Sequence, residues 1–282
     1  MAQQNSDTLQ SFLENTSFQK VKRMIKEHAG LDCSGYRDEY LKRRFEIRLR
    51  STGATTYSKY ILYLNKHPEE FTQLLNDLTI NYTTFFRDTD VYESLEKKIL
   101  PRLLLSAHPV KIWSAGCASG EEPYSLSILV HKLLGKRIKV HPVSIIASDI
   151  DKDALAKAQR GFYQAKQLST MSQMMIDQFF DKQDDGYAVK EFLKEIIHFE
   201  QFDLMSKPLH QNLDLILCRN VMIYFSKEGQ QHIHMNFFHA LRDGGYMITG
   251  KSEILSGEPA TAFNALDYQT RVYQKPLKKA NP

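Results

Sequence analysis

Residues Trp113–Ser125 read WSAGCASGEEPYS. An apolar strand, Val110–Trp113, runs into this stretch, Gly116 and Gly120 punctuate the loop, and Glu121-Glu122-Pro123 open a helix. Strand, glycine-bearing loop and helix in that order form the first unit of a nucleotide-binding α/β sheet. The loop contains neither lysine nor arginine, and two carboxylates follow at once. It suits a ligand that lacks phosphates and carries positive charge. The sulfonium and the amino group of S-adenosylmethionine (SAM) meet both conditions.

Working outward, the residue pattern changes near residue 108. From about Thr8 to Leu105 the chain reads as helices, with apolar residues at helical spacing in Ser11–Glu27 and Thr56–Leu64. Gly53 and His67-Pro68 punctuate them. After Pro109, strands are expected at Val110–Ala115, Val143–Ser148, Ile196–Phe202, Leu213–Cys218, Tyr246–Gly250 and Arg271–Gln274. Helices between them fall at Tyr124–Leu134, Lys152–Arg160 and Lys227–Leu241. Strands alternating with helices predict a mainly parallel sheet covered on both faces. The expected α/β architecture is a helical domain over 1–88, a linking helix over 89–108 (Asp90–Leu105) and a Rossmann-like domain over 109–282. One insertion, about 161–195, exceeds an ordinary connection. In it Leu168, Met171, Met175 and Phe179 suggest a short amphipathic helix, with the methionines as core filler. Asp184-Asp185-Gly186 suggests a tight turn before a strand, so the insert reads as a helix with a small antiparallel sheet.

Bulk properties exclude several classes. A chain of 282 residues, 42% hydrophobic and 25% charged, has the balance of a globular protein. No apolar run approaches the ~20 residues of a membrane span, so direct membrane insertion is not expected. The polar start MAQQNSDTLQ does not resemble a signal peptide, and a cytoplasmic setting is expected. Cys33, Cys117 and Cys218 form no CxxC pair, which points away from a disulfide framework and from zinc. A net charge of +4 is too weak to argue for nucleic acid.

In open α/β folds ligands bind beyond the carboxyl ends of the strands. Three motifs fall there: GCASGEEP, Asp149-Ile150-Asp151 and Arg219-Asn220. Asp149 is suited to accept hydrogen bonds from both ribose hydroxyls, while Asp151 is better placed to cap the helix at Lys152. Ser119-Gly-Glu-Glu122 matches a capping box, so Glu122 either serves that box or faces the ligand. Cys117 reads as a small space-filler. In Asn81-Tyr-Thr-Thr-Phe-Phe-Arg87 the two phenylalanines are expected to be buried. Arg87 forms either an ordinary ion pair or a clamp on a carboxylate. Tyr40–Arg50, YLKRRFEIRLR, carries five basic residues. Leu41, Phe45 and Leu49 line one face, and Lys42, Arg43 and Arg50 project opposite, as a solvated face or as a dock for an acidic partner.

Taken in order, YLKRRFEIRLR, NYTTFFRD, WSAGCASGEEPYS, ASDID, CRNVMIYF and GKSE resemble the chemotaxis receptor methyltransferases, the CheR family. The resemblance runs from about Leu31 to the last strand. It implies a SAM-dependent protein-glutamate O-methyltransferase that esterifies glutamates on chemoreceptor signalling helices, with S-adenosylhomocysteine as product and no metal. It implies cofactor contacts at Asn81, Thr83, Arg87, Gly116, Glu122, Asp149, Arg219 and Asn220, with backbone contacts to adenine at Asp203 and Leu204. Arg87 and Tyr224 are implied at the reaction centre. Lys42, Arg43 and Arg50 become contacts for the acidic, cytoplasmic receptor helices.

Two departures from the family limit the carry-over. GKSE has Lys251 where the family often has histidine, so that position is assigned no catalysis. Some members use the insert to grip a receptor's C-terminal tail by β-strand addition. The shorter Asp184-Asp185-Gly186 loop argues against tail docking here. A glutamate with an unperturbed pKa of ~4.3 is already an anion at neutral pH, so the reaction needs no base. A nicotinamide oxidoreductase is disfavoured because Gly116–Gly120 lacks the GxGxxG order. A nucleic-acid methyltransferase is disfavoured by the lack of NPPY or a Pro-Cys nucleophile. A cofactor-binding scaffold without turnover is the third alternative.

Overall fold

A computed structural model describes residues 2–106 and 108–278, with side chains from Phe12 onward. Residue 1 and residues 279–282, the outer limits of the expected domains, lie outside the described residues, as do the side chains of MAQQNSDTLQ. Contacts group the chain into two units. One ends at Ile80 and takes in Tyr224–Gln230; the other comprises Asn81–Ile223 and the residues from Gln231 onward.

The first unit holds helices α1 (Ala2–Ala29), α2 (Asp38–Thr52), α3 (Tyr57–Lys66) and α4 (Glu70–Leu78). Leu41 and Phe45, one helical turn apart on α2, are fully buried, as are Phe18 and Val21 of α1, Tyr60 of α3 and Leu74 of α4. Gly53 ends α2 at φ 73°, a left-handed position that glycine adopts without steric cost. The basic residues of α2 divide by role. Arg48 donates two hydrogen bonds to Glu70, at 2.8 and 2.7 Å, and one to Asp77 at 3.1 Å. Tyr60 adds its hydroxyl to the same Glu70 carboxylate at 2.8 Å, so this buried acid is fully paired. Lys42, Arg43 and Arg50 remain exposed. Tyr224–Gln230 joins this unit through the Ser226 N–H, which donates to the Gly35 carbonyl at 2.8 Å, and the Arg37 N–H, which donates to the Tyr224 carbonyl at 3.1 Å.

The second unit includes the segment expected as one linking helix. It forms in three pieces: α5 (Thr89–Ser94), a π-helical turn (Leu95–Ile99) and α6 (Leu100–Leu103). Pro101 is the physical reason, since it lacks an N–H and crowds the carbonyl four residues back. Phe85, Phe86, Val91, Leu95 and Leu100 are buried in the same cluster as Ile112 and Leu126. The contacts therefore group this segment with the α/β body, although its helical character suggested a separate element.

The sheet residues fall in β1 (Val110–Ala115), β2 (Val143–Asp149), β3 (Phe162–Tyr163), β4 (Phe180–Gln183), β5 (Gly186–Val189), β6 (Ile197–Gln201), β7 (Leu213–Cys218), β8 (Leu241–Thr249), β9 (Asn264–Asp267) and β10 (Val272–Gln274). Seven of them form one sheet in the order β6-β2-β1-β7-β8-β10-β9. Pairs among β6, β2, β1, β7 and β8 are parallel, and β10 is antiparallel to β8 and β9. Every residue of β7 is buried, and so is all of β1 except Lys111, as strands covered on both faces require. The helices are α7 (Glu121–Leu134), α8 (Lys152–Arg160), α9 (Gln173–Phe179), α10 (Glu191–Lys194), α11 (Lys227–Ala240) and α12 (Glu258–Ala262). Because the chain builds outward from β1 to β2 and β6 and then returns to β7, the order reverses between β1 and β7. Their carboxyl ends mark the crevice where such sheets bind ligands.

Three details depart from the expected elements. Strand β8 starts at Leu241, five residues early, with a register shift near Leu213/Leu215 and Gly244 at φ 76°. Strand β9 was not anticipated; NALD is four residues long and gains its order from pairing with β10. In the insert, Leu168 ends a 3₁₀ turn (Ala165–Leu168), and the α-helix begins only after Ser172, whose hydroxyl accepts from the Met175 N–H. The expected hairpin forms, with β4 and β5 joined across Asp184-Asp185 in a sheet ordered β3-β5-β4. Met171 is buried and Met175 packs half-buried against the same core, as expected of core filler.

Candidate functional site

The glycine loop after β1 is held by its neighbours rather than by its own side chains. The N–H groups of Gly116 and Cys117 both donate to the Ser148 carbonyl, at 2.8 and 2.9 Å, tying the loop to the end of β2. Gly116 has φ 80°, and a Cβ there would lie 2.7 Å from a Val221 methyl. Only glycine lets β1 and the turn after β7 approach this closely. Cys117 is fully buried, and burial pushes its thiol well above the ordinary range, consistent with a space-filling role.

The expected capping box does not form. Gly120 is the N-cap of α7, at φ 96°, and contributes no side-chain cap. The Ser119 hydroxyl donates instead to Glu121 at 2.8 Å. Glu122 turns to other partners: it accepts from the Ser114 hydroxyl at 2.8 Å and from Arg219 at 3.4 Å. Burial raises its carboxyl above the usual carboxylate range, opposed by the Arg219 charge, the Ser114 hydroxyl and the Arg87 charge. The two acids thus separate, with Glu121 serving the scaffold and Glu122 standing among the expected site residues.

Arg219, at the end of β7, is a hub. Its guanidinium donates at 2.7 Å to the Arg87 carbonyl, at 2.7 Å to Asp88 and at 3.4 Å to Glu122, with the side chain 2% exposed. It also lies over the Tyr92 ring at 5.5 Å. Arg87 itself is half-buried, donates to the Tyr82 carbonyl at 3.2 Å and leaves most of its fork available. Phe85 and Phe86 are buried as expected.

Asp149 ends β2. Its oxygens accept the N–H of Ala118 at 2.8 Å and of Asp151 at 3.0 Å, which leaves lone pairs for two further donors. Burial raises its carboxyl, and the backbone N–H groups of Asp151, Ala118 and Ile150 oppose the shift. Capping of α8 falls to Asp151, which accepts from Asp153 and Ala154 at 2.8 and 3.1 Å. Asn81 donates to the same Asp151 at 2.6 Å and so anchors the start of its segment beside β2. Thr83 follows, half-buried. The Phe202 N–H donates to the Asp149 carbonyl at 2.9 Å, placing Asp203 and buried Leu204 next along the chain. The Asp203 carboxylate accepts the Met205 N–H at 2.9 Å, and its backbone carbonyl accepts the Ser206 N–H at 2.9 Å.

Asn220, next after Arg219, adopts φ 61°, and its Oδ1 is buried without a protein partner. An orphaned acceptor in the turn after β7, together with the carboxylates of Glu122 and Asp149 after β1 and β2 and a glycine loop free of lysine, fits a ligand bearing an amino group and a ribose diol. Asn81, Arg87, Gly116, Glu122, Asp149, Arg219 and Asn220 therefore converge at the carboxyl ends of β1, β2 and β7. Tyr224 and the basic residues of α2 belong to the other unit. There the Tyr224 ring packs 4.9 Å from that of Tyr40. Arg50 is exposed and 3.8 Å from Glu46.

Sequence reasoning missed the buttress that the insert provides. Buried Tyr163 donates its hydroxyl to the Ser119 carbonyl at 2.7 Å, Gln167 donates to Glu121 at 2.9 Å, and Thr170 donates to the Phe85 carbonyl at 2.6 Å. A short stretch of the insert thus holds both the glycine loop and the Asn81–Arg87 segment. The buried Tyr163 ring meets Phe85 edge-on at 4.9 Å.

Comparison with known proteins matches this layout. The family described as CheR methyltransferase, SAM binding domain, covers residues 81–272, and CheR methyltransferase, all-alpha domain, covers residues 16–79. The chain is 33% identical over 232 residues to the chemotaxis protein methyltransferase of Listeria monocytogenes, covering 82% of this chain and 87% of that protein. It is 31% identical over 255 residues to the chemotaxis protein methyltransferase of Escherichia coli, covering 86% of each. The Borreliella burgdorferi protein of the same name is 29% identical over 264 residues, 90% of this chain and 93% of the other. With the SAM-binding family spanning the whole crevice and the all-α family the helical unit, the chain belongs to the CheR methyltransferase family and is a SAM-dependent methyltransferase.

Proposed function

We propose that this chain is a protein-glutamate O-methyltransferase that esterifies glutamate side chains of chemoreceptors and leaves S-adenosylhomocysteine as product. The observation that carries the reading is the crevice at the β1/β7 switch point, where Glu122, Asp149 and the unpartnered Asn220 Oδ1 stand without a basic residue in the glycine loop. The names of the relatives, chemotaxis protein methyltransferases, support the substrate class.

In this reading Glu122 receives the cationic end of SAM, Asp149 the ribose hydroxyls, and the backbone of Asp203 and Leu204 the adenine, with Asn81, Thr83, Gly116, Arg219 and Asn220 completing the site. Bound there, SAM supplies an electrophilic methyl group on sulfur. The incoming glutamate, with an unperturbed pKa of ~4.3, arrives as an anion and needs no general base. The chain's contribution is placement and exclusion of water. Arg87 keeps donors free to orient the substrate carboxylate. On α2, exposed Lys42, Arg43 and Arg50 meet the acidic, cytoplasmic helices of the receptor. The two-residue Asp184-Asp185 turn supports recognition without capture of a receptor tail.

The test is transfer of labelled methyl from SAM to receptor-containing membranes, followed by alkali and counting of volatile methanol. Base-labile counts are expected, because carboxyl esters hydrolyse where methylated nitrogen and carbon do not. Arg87→Ala should lower kcat/KM by about 10- to 100-fold, the equivalent of one charge-assisted hydrogen bond of about 1.5–3 kcal/mol. Base-stable label, or near-normal turnover in that variant, would overturn the assignment.

A further inference from the structure

GKSE, residues 250–253, is the motif that the cofactor and substrate roles leave unused. Lys251 turns away to pair with Asp90 at 2.8 Å. Glu253 turns inward and is 5% exposed. Its Oε2 accepts the N–H of Gly250 at 2.6 Å and of Asn220 at 2.9 Å. Burial raises this carboxyl, the backbone N–H groups of Met222 and Ile223 join those of Gly250 and Asn220 in opposing the shift, and Oε1 itself has no hydrogen-bond partner among the described residues. The Thr249 hydroxyl donates to the Glu253 carbonyl at 2.8 Å, which fixes the residue at the end of β8. A Cβ on Gly250 would lie 2.6 Å from the Glu253 carboxylate and 2.8 Å from the Asn220 nitrogen, so the approach depends on glycine.

The turn after β7 explains why a carboxylate is needed. Asn220 sits at φ 61°, where the chain leaves the strand, and its N–H has no strand partner to receive it. A buried N–H left without an acceptor bears the full cost of its lost hydration. A carboxylate is acceptor-only and offers about four lone-pair sites to converging donors. Glutamine would offer one oxygen and turn an NH₂ toward donors.

Resting on the cofactor reading above, we infer that Glu253 is a positioning residue of the methyl-transfer site. Its carboxylate holds the Asn220–Ile223 turn in the conformation that presents Asn220 to SAM. It touches neither cofactor nor substrate.

The test combines two readouts on the purified full chain without substrate. In Glu253→Gln, amide hydrogen exchange across 220–223 should quicken by about tenfold or more, as expected when the shared acceptor loses its charge. The Kd for S-adenosylhomocysteine, measured by calorimetry, should weaken by about tenfold or more while Trp113 emission stays native. Glu253→Asp keeps the acceptor charge and should recover part of both losses. Faster exchange with unchanged affinity would overturn the inference, because the contact would then only support the fold. Weaker binding without faster exchange would overturn it too. Should the glutamine variant fail to fold, the aspartate variant carries the test, with a threefold or larger change expected in both readouts, about 0.7 kcal/mol. A wild-type chain that does not bind S-adenosylhomocysteine would strike the cofactor reading itself, and the wild-type titration alone tells the two failures apart.

Discussion

Replacing Arg219 by methionine removes a buried cation while keeping most of its aliphatic bulk. The guanidinium has three acceptors within reach: Asp88 and the Arg87 carbonyl at 2.7 Å, and Glu122 at 3.4 Å. Breaking a buried pair by deleting one partner costs about 3–5 kcal/mol, because the remaining charge stays in the interior. Here the Asp88 side chain is 28% exposed and water recovers part of its loss, whereas Glu122 is 11% exposed and recovers little. The expected cost is therefore near the lower end, about 3 kcal/mol. Adding Glu122→Gln to Arg219→Met should return about 1–2 kcal/mol, since the stranded charge is gone. Urea unfolding followed by Trp113 emission is the assay. Trp113 is the chain's one tryptophan, buried in β1 against Phe202 and Phe237, so it reports on the α/β body. A single mutant within about 0.5 kcal/mol of the parent, or additive effects in the double-mutant cycle, would refute the hub.

Gly116→Ala should destabilise the α/β body by about 2–3 kcal/mol, from the left-handed φ of 80° and the Val221 methyl at 2.7 Å. Val221→Ala in the same chain should relieve only the contact, which urea midpoints of the two variants will separate. His234 on α11 is buried, and desolvation lowers its pKa from 6.5 to about 4. The unfolded chain therefore takes up a proton that the folded chain refuses. Stability should be undiminished above pH 6.5 and fall steadily from there to about pH 4, by about 3 kcal/mol from this group alone. His234→Leu should flatten that part of a stability–pH curve, and an unchanged slope would rule His234 out as its source.

Where a local pattern suffices, sequence and structure coincide. β1, β7 and α8 occupy the spans expected of them, since continuous apolar runs and the Asp151 cap are short-range signals. Glu122 shows where short-range logic stops. Its spacing from Ser119 satisfies a capping box, yet the carboxylate binds Ser114 and Arg219 instead. An i,i+3 pattern cannot register a guanidinium 97 residues away. Likewise Pro101 marks a disturbance in the linking helix, but only packing of Val91, Leu95 and Leu100 into the α/β core decides which unit owns the segment.

By itself the amino-acid order determined the alternation of strands and helices, the acidic glycine loop, and the set of motifs that end β1, β2 and β7. Those depend on side-chain periodicity and on residue types at neighbouring positions. Tertiary structure decided which groups are consumed and which stay available. Arg48 is spent on Glu70 and Arg219 on Asp88, while Arg87 and the Asn220 Oδ1 are left free. It also decided that Tyr163, Gln167 and Glu253 hold the loops around the crevice. Hydrogen-bond partners of buried groups are chosen by proximity in space, and no spacing along the chain encodes that choice.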